Sequence, residues 1–593
     1  VRDEKDVVKL RADDREVSWE RPSRPGLSAS RLPAHNVTIE GWVVEWLALH
    51  WQMPTASIDT RRPLVEQGLD SMGAMRLTYD LEQWLGLPLT LSFLWEQRTI
   101  ESLARALASP DTLFSLSPVS DAGDAAGGLA SDTAPASSGQ RRLWRLMRPV
   151  PDSPRFHVHF GLRFDGPLDV DSLKLGLEEL VRRHEALRTT FREGDGALTQ
   201  VVSPAARLEL PVVDLRGGGG GAPEEALDSS SFRAMNDAQA RAPFDVASGP
   251  LMRAALVILA EQTHVLLVTQ HQLITDGPSL GVFGRELASL YRVFQAGVPS
   301  PLAPPARQPV DVARWQHRWS TSDAARLQRE YWRARLEGAP PLSLTSRWTR
   351  EEDAGGQGGL VRFEVPVALT AAWKSLASTE GATLFTALSA VFAALLRQVS
   401  GQEDVLVGTV VANRGRRELR DVVGLLSNTV ALRCDLTGNP SFRELLRRHR
   451  LRTTEDLGHQ ELPFDEVAAS LPHGLQAACV FESATGVDLS IPGLSCTLLT
   501  DTPDASVPGL ARHALTLLLR EDLAGLRGAF EYASAVFHPA EVEQLARAFR
   551  HLLGRIVEAP DARLDELALS DEAPRQAPDG GPARTSGTAD SSA

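Results

Sequence analysis

The chain has 593 residues, 43% apolar and 23% charged; this composition is typical of folded proteins, and the length exceeds one ordinary core, so two to four domains are expected. No run approaches the roughly 18 to 20 uninterrupted apolar residues of a membrane span, and the 62 Lys and Arg, set against 76 Asp and Glu, are scattered, so neither membrane nor nucleic acid is an expected partner. The three cysteines, Cys434, Cys479 and Cys496, are odd in number and lack metal-ligand spacing, which predicts no disulfide framework, no metal site and buried thiols in a cytoplasmic protein.

Residues 1–35 are polar and proline-bearing; with no apolar signal core and no initiator Met they read as a linker or the tail of an upstream domain in a longer polypeptide. From residue 36 the apolar residues of VTIEGWVVEWLALHW, SMGAMRLTYDLEQWLG and TIESLARALA recur at helical spacing, which predicts a small helical bundle over 36–108. Residues 109–137 are rich in Ser, Asp, Ala, Gly and Pro without periodicity, the composition of a flexible tether. Beyond it, helical stretches such as DVDSLKLGLEELVRRHEALR alternate with strand-like runs such as HVHFGLRF, HVLLVTQHQ and EDVLVGTVVA, so the remainder is a mixed α and β region long enough for two lobes, 138–310 and 311–570. GGGGGAPEEALDSSS at 217–231 and GGQGG at 355–359 fit no nucleotide fingerprint and read as mobile insertions. The tail, 571–593, has a disordered composition.

Two places carry chemistry. In EQGLDSMGAMRL, Ser71 follows a Gly-Leu-Asp turn and opens an amphipathic helix. The residues alone admit an N-cap by Asp70 or Ser71, or a modified hydroxyl whose phosphate would meet free N–H groups and the positive end of a helix dipole. In VTQHQLITDG, His271 and Gln272 lie near a strand end, followed by Asp276 and Gly277. A lone histidine there is a hydrogen-bonded structural group or a catalyst, and Asp-Gly alone is an ordinary turn pair.

DTRRPLVEQGLDSMGAMRLTYDLEQWLGLPLTLSFLWEQRTIESLARAL resembles an acyl carrier protein of modular polyketide synthases over about 75 residues, on its LDSM signature, LEQWLG helix end and TIESLA final helix. That resemblance implies a four-helix bundle with a covalent 4'-phosphopantetheine arm on Ser71, installed by a phosphopantetheinyl transferase, whose thiol holds an acyl thioester. Residues 138 to about 570 resemble the condensation domains of nonribosomal peptide synthetases. SGQRRLWRL, RRHEALRTTF, QHQLITDG, DVARWQ, VGLLSNTVALR and GHQELPFDEV stand in the order and spacing of six family motifs, while the seventh is weak or absent around SLPHGLQAACVFES. The implied architecture is α+β: the carrier bundle, then a two-lobed chloramphenicol-acetyltransferase-like fold with the third motif in a tunnel between the lobes. The implied partners are an upstream polyketide synthase module and a downstream carrier protein or adenylation module.

The family's third motif has two adjacent histidines before its Asp-Gly, and the second contacts the attacking amine. Here that position is Gln272, whose amide accepts no proton near neutral pH, while His271 on the strand should point the other way. The resemblance also gives Asp276 an arginine partner, for which Arg183 and Arg188 are the candidates; Trp315, Asn428 and Phe464 fall in matched motifs, where aromatic and amide residues read as packing and loop-locking groups. Three readings follow: an acyltransferase joining a polyketide segment to an amine or hydroxyl, a docking or handover module that has lost elongation activity, or a substitution introduced to trap a complex. The expectation adopted is a functional carrier with an impaired condensation domain.

Overall fold

The computed structural model describes residues 7–12, 15–20, most of 38–107 and most of 133–567; the principal stretches outside the described residues are 1–6, 21–37, 70–76, 108–132, 217–222, 345–357, 483–490, 500–512 and 568–593. The expected tail and nearly all of the expected tether therefore lie outside them. At the start, β1 (Val7–Ala12) and β2 (Arg15–Glu20) pair antiparallel, with Val8 opposite Trp19 and Leu10 opposite Val17. These strands stand where a linker was expected. Their period-two apolar pattern, short and interrupted by charge, was masked by the polar composition.

In the small domain, α1 (Ile39–Trp51) buries Ile39, Trp42, Val43, Trp46 and Leu47, one stripe at three- and four-residue spacing. It meets α2 (Ile100–Leu107) around a core completed by Leu64, Leu69, Leu77 and Leu81. Trp42 stacks on Trp84, and the Trp46 indole N–H donates to Asp80 at 2.8 Å. Part of the segment between these helices lies outside the described residues, and with it the full set of four helices.

The large domain begins with β3 (Thr133–Pro135), five residues before the expected boundary, because three residues too few to show alternation pair with a distant strand. Then come α3 (Ser138–Met147), β4 (His157–Asp165), α4 (Val170–Arg183), β5 (Thr189–Gly194), β6 (Ala197–Val202), β7 (Val212–Asp214), α5 (Pro223–Leu227), α6 (Ser230–Arg241), β8 (Met252–Ala260), β9 (Thr263–His271) and α7 (Gly277–Gln295). The stretch 217–231, expected as one mobile loop, contains α5 and the start of α6, whose N-terminus Ser229 caps through its hydroxyl. The second half of the chain continues with α8 (Pro309–Trp319), α9 (Asp323–Leu336), β10 (Gly358–Pro366), α10 (Val367–Thr379), α11 (Leu384–Ser400), β11 (Asp404–Val411), β12 (Asn428–Asp435), α12 (Phe442–Gly458), α13 (Phe464–Ala468), β13 (Ala477–Glu482), β14 (Ser495–Leu499), β15 (Leu515–Asp522), β16 (Gly525–Ala533), α14 (Pro539–Glu558) and α15 (Leu564–Leu567). Gly358 and Gly359, expected in a loop, open β10. The expected lobe boundary at 310/311 falls inside α8, which Pro309 starts from its first helical position.

Two sheets organise the lobes. The first runs β14-β4-β9-β8-β7 and the second β10-β16-β15-β13-β11-β12, with β3-β6-β5 as a smaller third. β14 leaves the second half of the chain to pair with β4, Cys496 opposite Phe164 and Leu498 opposite Leu162. Residues 495–499 thus belong to the first lobe's sheet, which local pattern cannot reveal because strand pairing is tertiary. The second lobe's core is built on α11, buried on almost every side between its sheet and α14. No single described helix is long and apolar enough to cross a membrane.

Candidate functional site

All nine residues of β9 are buried, because α4 and α7 cover one face of the sheet and α6 the other. An apolar run rather than an alternation is what such a strand requires. Polarity is confined to the two ends of the strand, Thr263 and His264 at its start and Thr269, Gln270 and His271 at its close. The Thr269 hydroxyl donates to Gln239 O at 2.9 Å, the Gln270 amide approaches Met252 Sδ at 3.7 Å, and the His271 backbone N–H donates to Leu251 O at 2.9 Å.

The strand stops at a single turn, Gln272–Ile274, capped by the His271 side chain: its Nδ1 accepts the Leu273 N–H at 3.1 Å. That bond fixes a neutral ring with its proton on Nε2. His271 is 2% exposed and sits edge-on to His157 and Phe244; burial, helped by the neighbouring His157, pushes its pKa down to about 3. The Nδ1 lone pair is engaged, so His271 holds the turn and is not a free base. Gln272 is half-buried at the head of the turn. From the other side, the Gln140 amide of α3 donates to Leu273 O at 3.2 Å and to Gln200 at 3.0 Å. Gln140 also closes a reciprocal cap with Ser137; this S-x-x-Q spacing is a legible sequence signal for a helix start, but its reach to the turn is not.

Asp276 caps α7, accepting from the Ser279 N–H and hydroxyl. Its charge is matched across the lobes: Arg414 Nη1 and Nη2 each lie 2.8 Å from a carboxylate oxygen, and the Leu426 N–H, the Ser427 N–H and the Ser427 hydroxyl donate to Oδ2 at 2.9–3.0 Å. Both ionic side chains are nearly inaccessible, 4% and 6% exposed. Burial alone would raise the Asp276 pKa; the Arg414 charge and the donated hydrogen bonds outweigh it and hold the carboxyl below its ordinary range. Asn413, at φ 51°, takes the left-handed turn that swings Arg414 inward, a conformation Asn tolerates better than most residues.

The expected partners of Asp276 are corrected by this geometry. Arg183 is buried against Glu286 of α7 at 3.1 Å and donates to Leu302 O and Ala303 O, with His184 at 2.8 Å from the same Glu286. Arg188 donates to Ser203 O and lies 3.9 Å from Glu185. Both stand on the helix-sheet side of the first lobe, engaged before they could reach Asp276. Arg414 was missed because no spacing in sequence links it to a residue 138 positions earlier. Gly277, exposed, opens α7.

Asn428 fastens the segment between α12 and α13: its amide donates to Gln460 O at 2.8 Å and Leu462 O at 2.7 Å, and its oxygen accepts the Phe464 N–H at 3.1 Å. Phe464 is buried under the Arg142 guanidinium, and Trp315 is covered by that of Arg416. Ser71 lies outside the described residues, between Leu69 and Leu77, which are both in the carrier core. Cys434 and Cys479 are buried free thiols; Cys496, expected to be buried, is only partly so at the edge strand β14.

Residues 130–577 match the model of the condensation domain, and residues 43–107 that of the phosphopantetheine attachment site. The chain is 35% identical over 447 residues to chondramide synthase cmdD of Chondromyces crocatus, covering 74% of this chain and 11% of that protein. It is 34% identical over 442 residues to phosphinothricin tripeptide synthetase PhsC of Streptomyces viridochromogenes, covering 73% of this chain and 40% of that protein. It therefore spans well under half the length of these relatives. Among solved structures it is similar to the X-domain from teicoplanin biosynthesis, at 25% identity and a TM-score of 0.65, over 75% of this chain and 99% of that one. The same X-domain in complex with OxyB matches at 25% identity and a TM-score of 0.62, over 75% and 98%.

Proposed function

This chain belongs to the condensation-domain family and carries a 4'-phosphopantetheine attachment domain ahead of it, and from that premise we propose that it passes or holds an acyl chain in the assembly-line synthesis of a polyketide and peptide hybrid. Ser71 is the attachment point, and the arm supplies a thiol that carries the acyl group as a thioester. The large domain receives that group between its lobes, with ordinary amide-forming elongation impaired.

The observation that carries the impairment is the state of both residues at the motif. Gln272 has no basic atom, and the His271 lone pair is occupied by Leu273 N–H. Loss of a general base typically lowers a rate by about 10² to 10⁴. The alternative, a slow transferase forming an amide or ester with a carrier-bound or free acceptor, is favoured by the Asp276 cage and the Gln140 bond to the turn, which keep the site ordered. A docking role is the other outcome of lost elongation; the similar X-domain has been solved as a complex with OxyB.

An upstream polyketide synthase module, a downstream carrier protein or adenylation module and a phosphopantetheinyl transferase are the partners this reading requires, in the cytoplasm. Incubation with a phosphopantetheinyl transferase and coenzyme A, followed by intact-protein mass spectrometry, tests the carrier half. One pantetheine adduct is expected, absent in Ser71→Ala; an adduct that persists in that variant would remove Ser71 from the account.

A further inference from the structure

The segment between α12 and α13 carries an acid that nothing in the fold consumes. Three acids lie along His459–Glu466. Asp465 is paired with Arg145 and, at 3.8 Å, with Arg142; Glu466 is 2.5 Å from Arg329 Nε. Glu461 differs. Its nearest cation, Arg416 Nη2, is 3.8 Å away, and among the described residues its carboxylate makes no hydrogen bond. Such an open pair stabilises a fold by about 0 to 1 kcal/mol. The side chain is 30% accessible, yet protein surrounds it closely enough that burial raises its pKa against the opposing pull of Arg416. The side chain is therefore partly enclosed by protein and still open to solvent.

The backbone around Glu461 is held on both sides and is tied to the loops that hold Asp276. Asn428 holds the carbonyls on both sides of Glu461, and the Leu462 N–H donates to Gln328 at 2.9 Å. Arg416 lies over the Trp315 ring at 4.5 Å, and among the described residues its Nε has no partner. It is two residues from Arg414, the cation bound to Asp276, and two residues span at most about 7 Å. The backbone clamping Glu461 is likewise continuous with that caging Asp276, since Ser427 donates to the aspartate and Asn428 to the segment. A carboxylate that accepts no hydrogen bond among the described residues, on backbone tied to the loops that hold Asp276, is matched best by a ligand with several N–H donors and a positive charge.

We propose that Glu461 is the docking carboxylate for the protonated primary amine of an acceptor, with Arg416 holding the carboxylate until the amine displaces it. This rests on the reading that the large domain receives an acceptor. A charge-assisted bond to a carboxylate is worth about ten- to a hundredfold in affinity, more than a neutral hydroxyl gains there.

The test uses the full chain and two probes, the alanyl thioester of N-acetylcysteamine and the same thioester with its amine acetylated, with affinities from ligand-observed NMR. The charged probe is expected to bind at least about tenfold tighter. Glu461→Gln should erase that ratio, Glu461→Asp should keep part of it, and Arg416→Gln should raise affinity for the charged probe alone; circular dichroism checks each fold. An unchanged ratio in Glu461→Gln, or equal binding of the two probes to the unsubstituted protein, overturns the role of Glu461 and leaves the acceptor reading standing. Binding of neither probe overturns the acceptor reading and this inference with it.

Discussion

Arg414→Ala removes the only cation bonded to Asp276 among the described residues, a carboxylate 4% exposed. Taking one partner from a buried ion pair costs about 3 to 5 kcal/mol, because the other charge is left uncompensated. Here the Ser279, Leu426 and Ser427 donors remain, which places the loss near the lower limit, about 3 kcal/mol. Arg414→Lys keeps the charge without the two-pronged geometry and should fall between. The pair joins α7 of one lobe to the loop after β11 of the other, so the loss should appear locally. Hydrogen exchange of the peptide covering residues 422–430 should accelerate by about two orders of magnitude in Arg414→Ala, since 1.4 kcal/mol is a factor of about ten. A change of less than about threefold would refute the assignment of Asp276 and Arg414 as a tie that holds the loop 422–430 in place. The pH dependence has a definite sign. The folded pKa of Asp276 is lowered, so its contribution is fully present above the unfolded value near pH 4 and is lost as pH falls through the lower folded value.

Three further outcomes are expected. Asn428→Ala removes three hydrogen bonds and should cost about 1 to 3 kcal/mol, raising proteolysis between His459 and Phe464; unaltered cleavage there would contradict its clamping role. The His271 ring should show its proton on Nε2 by nitrogen NMR and stay neutral down to about pH 3; its folded value lies below the unfolded one near 6.5, so its contribution to stability is present above about pH 6.5 and erodes below it. Titration near pH 6 would contradict the capping bond. Burial raises the thiols of Cys479 to about 12 and Cys496 to about 11 and pushes Cys434 up as well, so a maleimide at pH 7 should label the folded chain slowly, at Cys496 first. Rapid labelling of Cys434 or Cys479 would contradict their packing.

Strong apolar patterning was legible in the sequence. The helix Val170–Arg183 and the strands His157–Asp165, Thr263–His271 and Asp404–Val411 stand in the runs that announced them. What stayed hidden was tertiary. Arg183, plausible as a partner for Asp276 by motif, is turned to Glu286, while Arg414 reaches Asp276 through a loop with no distinguishing local pattern. Ser495–Leu499 joins the other lobe's sheet for the same reason: backbone pairing carries no address in the strand itself. The His271 and Gln272 pair was legible in residue type, but the tautomer that disqualifies His271 as a base depends on the Leu273 N–H, a consequence of the turn.

Chain transfer tests the central claim most directly. With the carrier loaded at Ser71 with an acyl-pantetheine arm, intact-protein mass spectrometry would follow loss of the acyl group to an aminoacyl acceptor carrier for the unsubstituted chain, Gln272→His and His271→Ala. The account expects little transfer by the unsubstituted chain and a gain of about 10² or more in Gln272→His, the scale of a restored general base. Rapid transfer by the unsubstituted chain, with no gain in Gln272→His, would contradict it.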